Sequence, residues 1–260
     1  MVIARKIGAC IATAGLLTAA LAMGGQAAAD GSRKAKAQPA DTNMGVWFSG
    51  YDVAKDATYW FDGVIVAFNR DISKDGWALR VYGSRVDFEQ EPTGDGRGWQ
   101  GDLMLGYLFH RTGYSGGIYM GADYQNYKLS PDDLSSPVRG TEWGFKVAGD
   151  VATSDNRPLH LSFAGSYSTA FDSYWTRARI GHNRDRVVYG IEGQAFGNED
   201  YNAQRLGAFL TFDSPLRLSM PIEVTLSAGH QFVNESNNGD SISTGGGQGA
   251  YGTIIFSTTF

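Results

Sequence analysis

The sequence predicts an all-β chain, an antiparallel up-and-down transmembrane β-barrel of about twelve strands. Three observations carry this reading. Segments of about ten residues with period-2 alternation recur between clusters of Gly, Asp, Asn, Ser and Pro, the rhythm of strands and turns. Beyond Met23 no uncharged run is long enough for a membrane helix, which does not exclude a membrane, because barrels span bilayers with short alternating strands of weak individual hydropathy. The stretch Gln248–Phe260 then sets Ile254, Phe256, Thr258 and Phe260 on one row against the hydroxyls of Tyr251, Thr253, Ser257 and Thr259, and stops on an aromatic.

Taken in order, residues 1–29 have the arrangement of a secretory signal peptide. Arg5 and Lys6 precede an uncharged run from Ile7 to Met23, and Ala27-Ala28-Ala29 suits cleavage before Asp30. Cys10, the single cysteine, leaves with that segment, so the exported chain has no disulfide, thiol nucleophile or cysteine metal ligand. Removing Arg5 and Lys6 leaves 20 basic against 27 acidic residues, a formal charge of −7 that disfavours nucleic acid as a partner. Residues 30–44 are small, polar and aperiodic, a flexible lead-in. The barrel is expected over 45–260.

Its strands are expected at 45–53, 59–69, 77–88, 99–110, 116–127, 140–153, 159–169, 173–182, 187–197, 203–212, 220–232 and 248–260. In the second, Asp62 shares a row with Trp60, Val64, Val66 and Phe68, so its facing is ambiguous. The fourth sets Trp99, Leu103, Leu105 and Tyr107 against Gln100, Asp102 and Gly106. In the sixth, Trp143, Phe145 and Val147 oppose Glu142, Gly144 and Lys146; in the eleventh, Val224, Leu226 and Phe232 oppose Glu223, Thr225 and Gln231. A membrane barrel turns the apolar rows outward and the polar rows into the lumen. The final strand, with its terminal Phe260, resembles the closing strand of Gram-negative outer-membrane barrels.

Connections alternate in the expected way. The even ones, such as Asp71–Gly76 and Asn183–Arg186, are short; Glu89–Gly98, Leu129–Arg139 and Val233–Gly247 are long; Ala54–Thr58 and Ala170–Asp172 are short exceptions. Termini on the periplasmic side would put the long set outside. On inward parity Arg80, Lys146, Arg177, Arg179 and Arg205 stand against Asp102, Asp123, Glu142, Asp150, Glu192 and Glu223. So balanced a lumen predicts a salt-bridged plug, since isolated charges would lose hydration without a partner. Asp52, Asp56, Asp71 and Asp75 are expected to be solvated turn and strand-end acids.

Catalytic and metal signals are few. None of His110, His160, His182 and His230 has a metal-ligand spacing, and no cofactor motif is present. His160-Leu161-Ser162 resembles the base and nucleophile of outer-membrane lipid A deacylases, whose pair faces outward and is completed by a downstream glutamate. Here the parity is lumenal and no glutamate follows before Asp172, so no catalytic residue is assigned.

The phrases G-A-D-Y-Q-N-Y-K-L-S-P-D-D at 121–133, G-T-E-W-G-F-K-V-A at 140–148, S-Y-S-T-A-F-D-S-Y-W at 166–175 and G-N-E-D-Y-N-A-Q-R-L-G-A-F at 197–209 resemble the cellulose biosynthesis protein BcsS family. The resemblance implies an accessory role in producing or exporting bacterial cellulose at the cell outer membrane and carries over no active-site residue, so the chain is expected to be a non-enzymatic barrel. Its expected partners are outer-membrane lipid, subunits of a cellulose synthase and export complex, and a β-glucan chain. Tyr124–Tyr127 and Asn198–Asn202 are the expected glucan-contacting loops. The alternatives are a lipid A or glycan hydrolase using His160 and Ser162, and a small porin.

Overall fold

The computed structural model describes residues 43–90, 94–154, 157–184, 186–215, 220–234 and 246–260. The expected signal peptide, nearly all of the lead-in and most of the connection from Val233 to Gly247 lie outside the described residues.

The chain forms β1 (Gly45–Ala54), β2 (Ala57–Ala67), β3 (Gly76–Gln90), β4 (Gly94–Arg111), β5 (Tyr114–Ser130), β6 (Gly140–Thr153), β7 (Leu159–Ser168), β8 (Tyr174–Arg184), β9 (Val187–Gly197), β10 (Asn202–Asp213), β11 (Ile222–Asn234) and β12 (Gly249–Thr259). Each strand pairs antiparallel with its sequence neighbours, and β1 pairs with β12 to close the barrel. Closure removes the exposed edges that an open sheet would carry. The seam is locked by reciprocal backbone bonds, Gly45 N–H to Phe260 O at 3.1 Å and Phe260 N–H to Gly45 O at 3.0 Å.

Alternation sorts the side chains as the sequence indicated. Trp99, Leu103, Leu105, Tyr107, Phe145 and Val147 are exposed on the outer wall, with Trp143 at 71%. Asp102, Asp123, Lys146, Arg177, Arg179 and Glu192 point inward and are buried. A soluble surface rarely leaves so broad an apolar patch in water; a girdled apolar wall is what a bilayer accommodates.

One end of the barrel carries both strand termini, Gly45 and Phe260; the other is called distal here. The interior near the termini end is apolar, packed with Val46, Phe48, Ile65, Met104, Leu108 and Tyr119. This explains the ambiguity of the second strand. Phe61 and Ile65 fill the lumen, whereas Trp60, Asp62 and Phe68 share the outer row, where the Trp47 side chain donates to Asp62. Inward glycines leave room for rings. A Cβ on Gly106 would meet Tyr119 Cδ1 at 2.2 Å, and one on Gly207 would meet the Tyr251 hydroxyl at 2.3 Å.

Two expectations are corrected. Glu89–Gly98 is not a long loop, because β3 runs to Gln90 and β4 begins at Gly94, so the hairpin overshoots the barrel at its distal end. Its glycines serve packing: a Cβ on Gly96 would lie 2.0 Å from Phe88 Cζ, and one on Gly98 would lie 2.5 Å from Tyr127 Cε1. Asp52 is not a solvated strand-end acid but a buried lumenal one. Asp71 and Asp75 do belong to a turn at the termini end. Contacts from Lys74 and Ser73 hold the Asp71 carboxyl at about 2, and Arg111 and the His110 N–H lower that of Asp75.

Candidate functional site

The middle of the lumen is crossed by three charge clusters, each spanning strands that are not neighbours. In the first, Lys146 on β6 places Nζ 2.8 Å from Asp102 Oδ2 and 3.6 Å from Asp123 Oδ1, with Arg80 Nη2 3.6 Å from Asp102 Oδ2. Gln100 and Gln125 also donate to Asp123. In the second, Glu192 on β9 accepts from Arg179 Nε at 2.8 Å, Ser227 Oγ at 3.1 Å, Gln194 Nε2 at 2.9 Å and Tyr251 OH at 2.9 Å. In the third, Arg205 grips Asp52 with two bonds of 2.7 and 2.9 Å, while Thr253 donates to the same carboxylate. The planar fork of arginine suits this bidentate geometry.

These clusters line a cavity of about 190 Å³ that extends toward the distal end. Aromatic faces border it at Tyr59, Tyr127, Trp175, Phe196 and Tyr201, and amides at Gln100, Gln125, Gln194, Asn198 and Gln231. Of the cations that line it, Arg205 is held by Asp52, Arg179 by Glu192, Lys146 and Arg80 by Asp102, and Arg177 lies over the Trp175 ring at 5.6 Å. Toward the termini end the clusters give way to the apolar packing around Phe48, Met104 and Leu108. The cavity is therefore a socket with a floor, and the packed interior among the described residues is a plug rather than the continuous water path a porin needs.

A short 3₁₀ turn, Ala170–Asp172, folds over the distal rim. Phe171 and Asp172 take φ of 51° and 46°, a left-handed conformation that costs about 1–2 kcal/mol per ordinary residue. Convergent contacts hold it there. Phe171 N–H donates to Glu142 Oε2 at 3.1 Å, Glu199 N–H donates to Phe171 O at 3.1 Å, and the Phe171 ring meets Tyr127 edge-on at 5.5 Å. In the β9–β10 connection, Tyr201 donates to Gly246 O at 2.8 Å, and burial pushes its phenol above the ordinary range.

The expected contact loops are partly realised. Asn198 and Tyr201 border the cavity, but Tyr124–Tyr127 is strand, not loop: Tyr127 faces the cavity, whereas Tyr124 packs on the outer wall against Trp143, 5.0 Å between rings. Alternation forces that split. His160 and Ser162 do meet, Nε2 to Oγ at 3.2 Å, but both are buried, His160 against the Phe209 ring, and neither borders the cavity. Sequence reasoning missed Asp52, which lies on the same row as Val46 and Phe48. An apolar interior at one end of β1 hid its lumenal parity.

A family model described as cellulose biosynthesis protein BcsS matches residues 46–260. No curated protein gives a significant match. Among solved structures, one that is similar is CdiB from Acinetobacter baumannii, at 8% identity and a TM-score of 0.37, covering 84% of this chain and 60% of that one. The chain thus spans less than two thirds of that structure's length.

Proposed function

The chain belongs to the cellulose biosynthesis protein BcsS family, and from that premise we propose that it is a non-enzymatic, plugged barrel of the outer membrane. There it acts as an accessory to cellulose synthesis and export and contacts the glucan at its distal cavity. Export rests on the basic, apolar and small-residue order of residues 1–29. Membrane insertion rests on the closed sheet and its apolar outer wall. A cavity on the outer side is supported by the overshooting β3–β4–β5 strands at the distal end, the kind of long hairpin that outer-membrane barrels turn outward. The observation that carries the reading is the socket itself, where aromatic faces alternate with amides above a packed floor.

Cellulose staining of a deletion strain is the test. Complementation by the wild-type chain, and by His160→Ala and Ser162→Ala, is expected to restore staining that the deletion abolishes. Normal cellulose in the deletion strain would overturn the pathway. A Ser162→Ala barrel that folds but fails to complement would replace the non-enzymatic role with the hydrolase reading.

A further inference from the structure

We infer that the distal cavity is a socket for the terminus of a neutral glucan chain, taking its last sugar units end-on rather than gripping the chain along its length. The inference rests on the proposed function for the identity of the sugar. Its chemistry comes from the cavity wall.

Pyranose rings present C–H faces to aromatic planes and hydroxyls to planar N–H and C=O groups. Tyr59, Trp175 and Phe196 supply the planes, and Gln100 and Gln194, whose Nε2 atoms hold Asp123 and Glu192, supply the amides. Charge selects against an acidic ligand. Of the cations that line the cavity, Lys146, Arg179 and Arg205 each face a carboxylate at 2.7–2.8 Å, Arg80 faces Asp102 at 3.6 Å and Arg177 lies over the Trp175 ring, so an anion entering it would compete with fixed partners.

End-on binding follows from the shape. The cavity is bordered by the distal connections at Ser173, Asn198, Tyr201 and Gly246, and it stops at Phe61, Tyr82 and Ile255, which belong to the buried apolar cluster. A chain entering from the rim has no exit through that floor. A polymer threaded along its length would need a second opening, so the occupant must present an end. The lumen is accordingly a site of capture and not a conduit.

The test uses the full chain in detergent micelles, titrated with cellopentaose and followed by tryptophan fluorescence and calorimetry. Soluble β-glucan fragments of graded length are then compared at equal mass. Binding is expected to scale with the number of chain ends, and a glucuronate oligosaccharide of equal length is expected to bind at least tenfold more weakly. Trp175→Ala should weaken cellopentaose binding about tenfold. Ser166→Phe, which places a ring beside the cross-strand partner Trp175, should abolish it while leaving every ion pair in place. Trp143→Ala on the outer wall should change nothing. Absence of cellopentaose binding, binding that follows mass regardless of length, or equal binding of the glucuronate oligosaccharide would overturn the inference. Cellulose staining of the deletion strain reads the proposed function separately, so a barrel needed for cellulose but blind to chain ends would sink this inference alone.

Discussion

Replacing Lys146 by methionine is expected to destabilise the folded barrel by about 3–5 kcal/mol, the usual cost of removing one partner from a buried ionic cluster. The lysine side chain is 5% exposed, and the Asp102 and Asp123 side chains beneath it are both at 0%. Without it, Asp123 keeps the Gln100 and Gln125 amides, and Asp102 keeps Arg80 at 3.6 Å. Two desolvated carboxylates would then share too little positive charge. Urea titration in micelles, read by fluorescence, measures the loss. If burial of unpaired charge is the cause, Lys146→Met combined with Asp102→Asn should be less destabilised than Lys146→Met alone, because the second substitution removes one of the stranded anions. An additive or worse double variant would place the effect in packing against Tyr82, whose ring centroid lies 4.9 Å from Nζ.

Glu192→Leu should cost a similar amount, about 3–5 kcal/mol, for the opposite reason. It strands a cation and three neutral donors instead of two anions. Arg179 Nε, Ser227 Oγ, Gln194 Nε2 and Tyr251 OH converge on this carboxylate from β8, β11, β9 and β12, so it ties the lumen together across strands that do not all pair with one another. Glu192→Gln keeps the volume and one acceptor and should fall between wild type and Glu192→Leu in the same titration. A Glu192→Leu barrel as stable as wild type would show that the lumenal network is replaceable by apolar filling.

Most of the fold was legible because β-barrels write their topology into a single period. Trp143-Gly144-Phe145-Lys146-Val147 states outward and inward in five residues, and β6 bears it out residue by residue. The rule failed where the lumen itself turns apolar. Val46, Phe48, Phe61 and Ile65 lie inside, so in β1 and β2 the apolar rows no longer mark the outer wall, and Asp52 was misplaced. Glycine was misread where it makes room for a ring instead of making a turn, as at Gly96 and Gly98. The site was harder still. Tyr127, Trp175 and Tyr201 meet only because the barrel closes, and Phe171 reaches the rim through a left-handed backbone that no local signal announces. The lumenal charge balance was visible from parity, but which cation meets which acid depends on the stagger between strands.

Fractionation of cells producing the tagged full chain tests the membrane barrel most directly, with each fraction run on a gel unheated and boiled. The expected result is recovery in the outer membrane, with a folded band that shifts on boiling as the closed sheet opens. A soluble periplasmic protein with a single mobility would contradict the barrel's place in the membrane, and with it the outside position of the cavity.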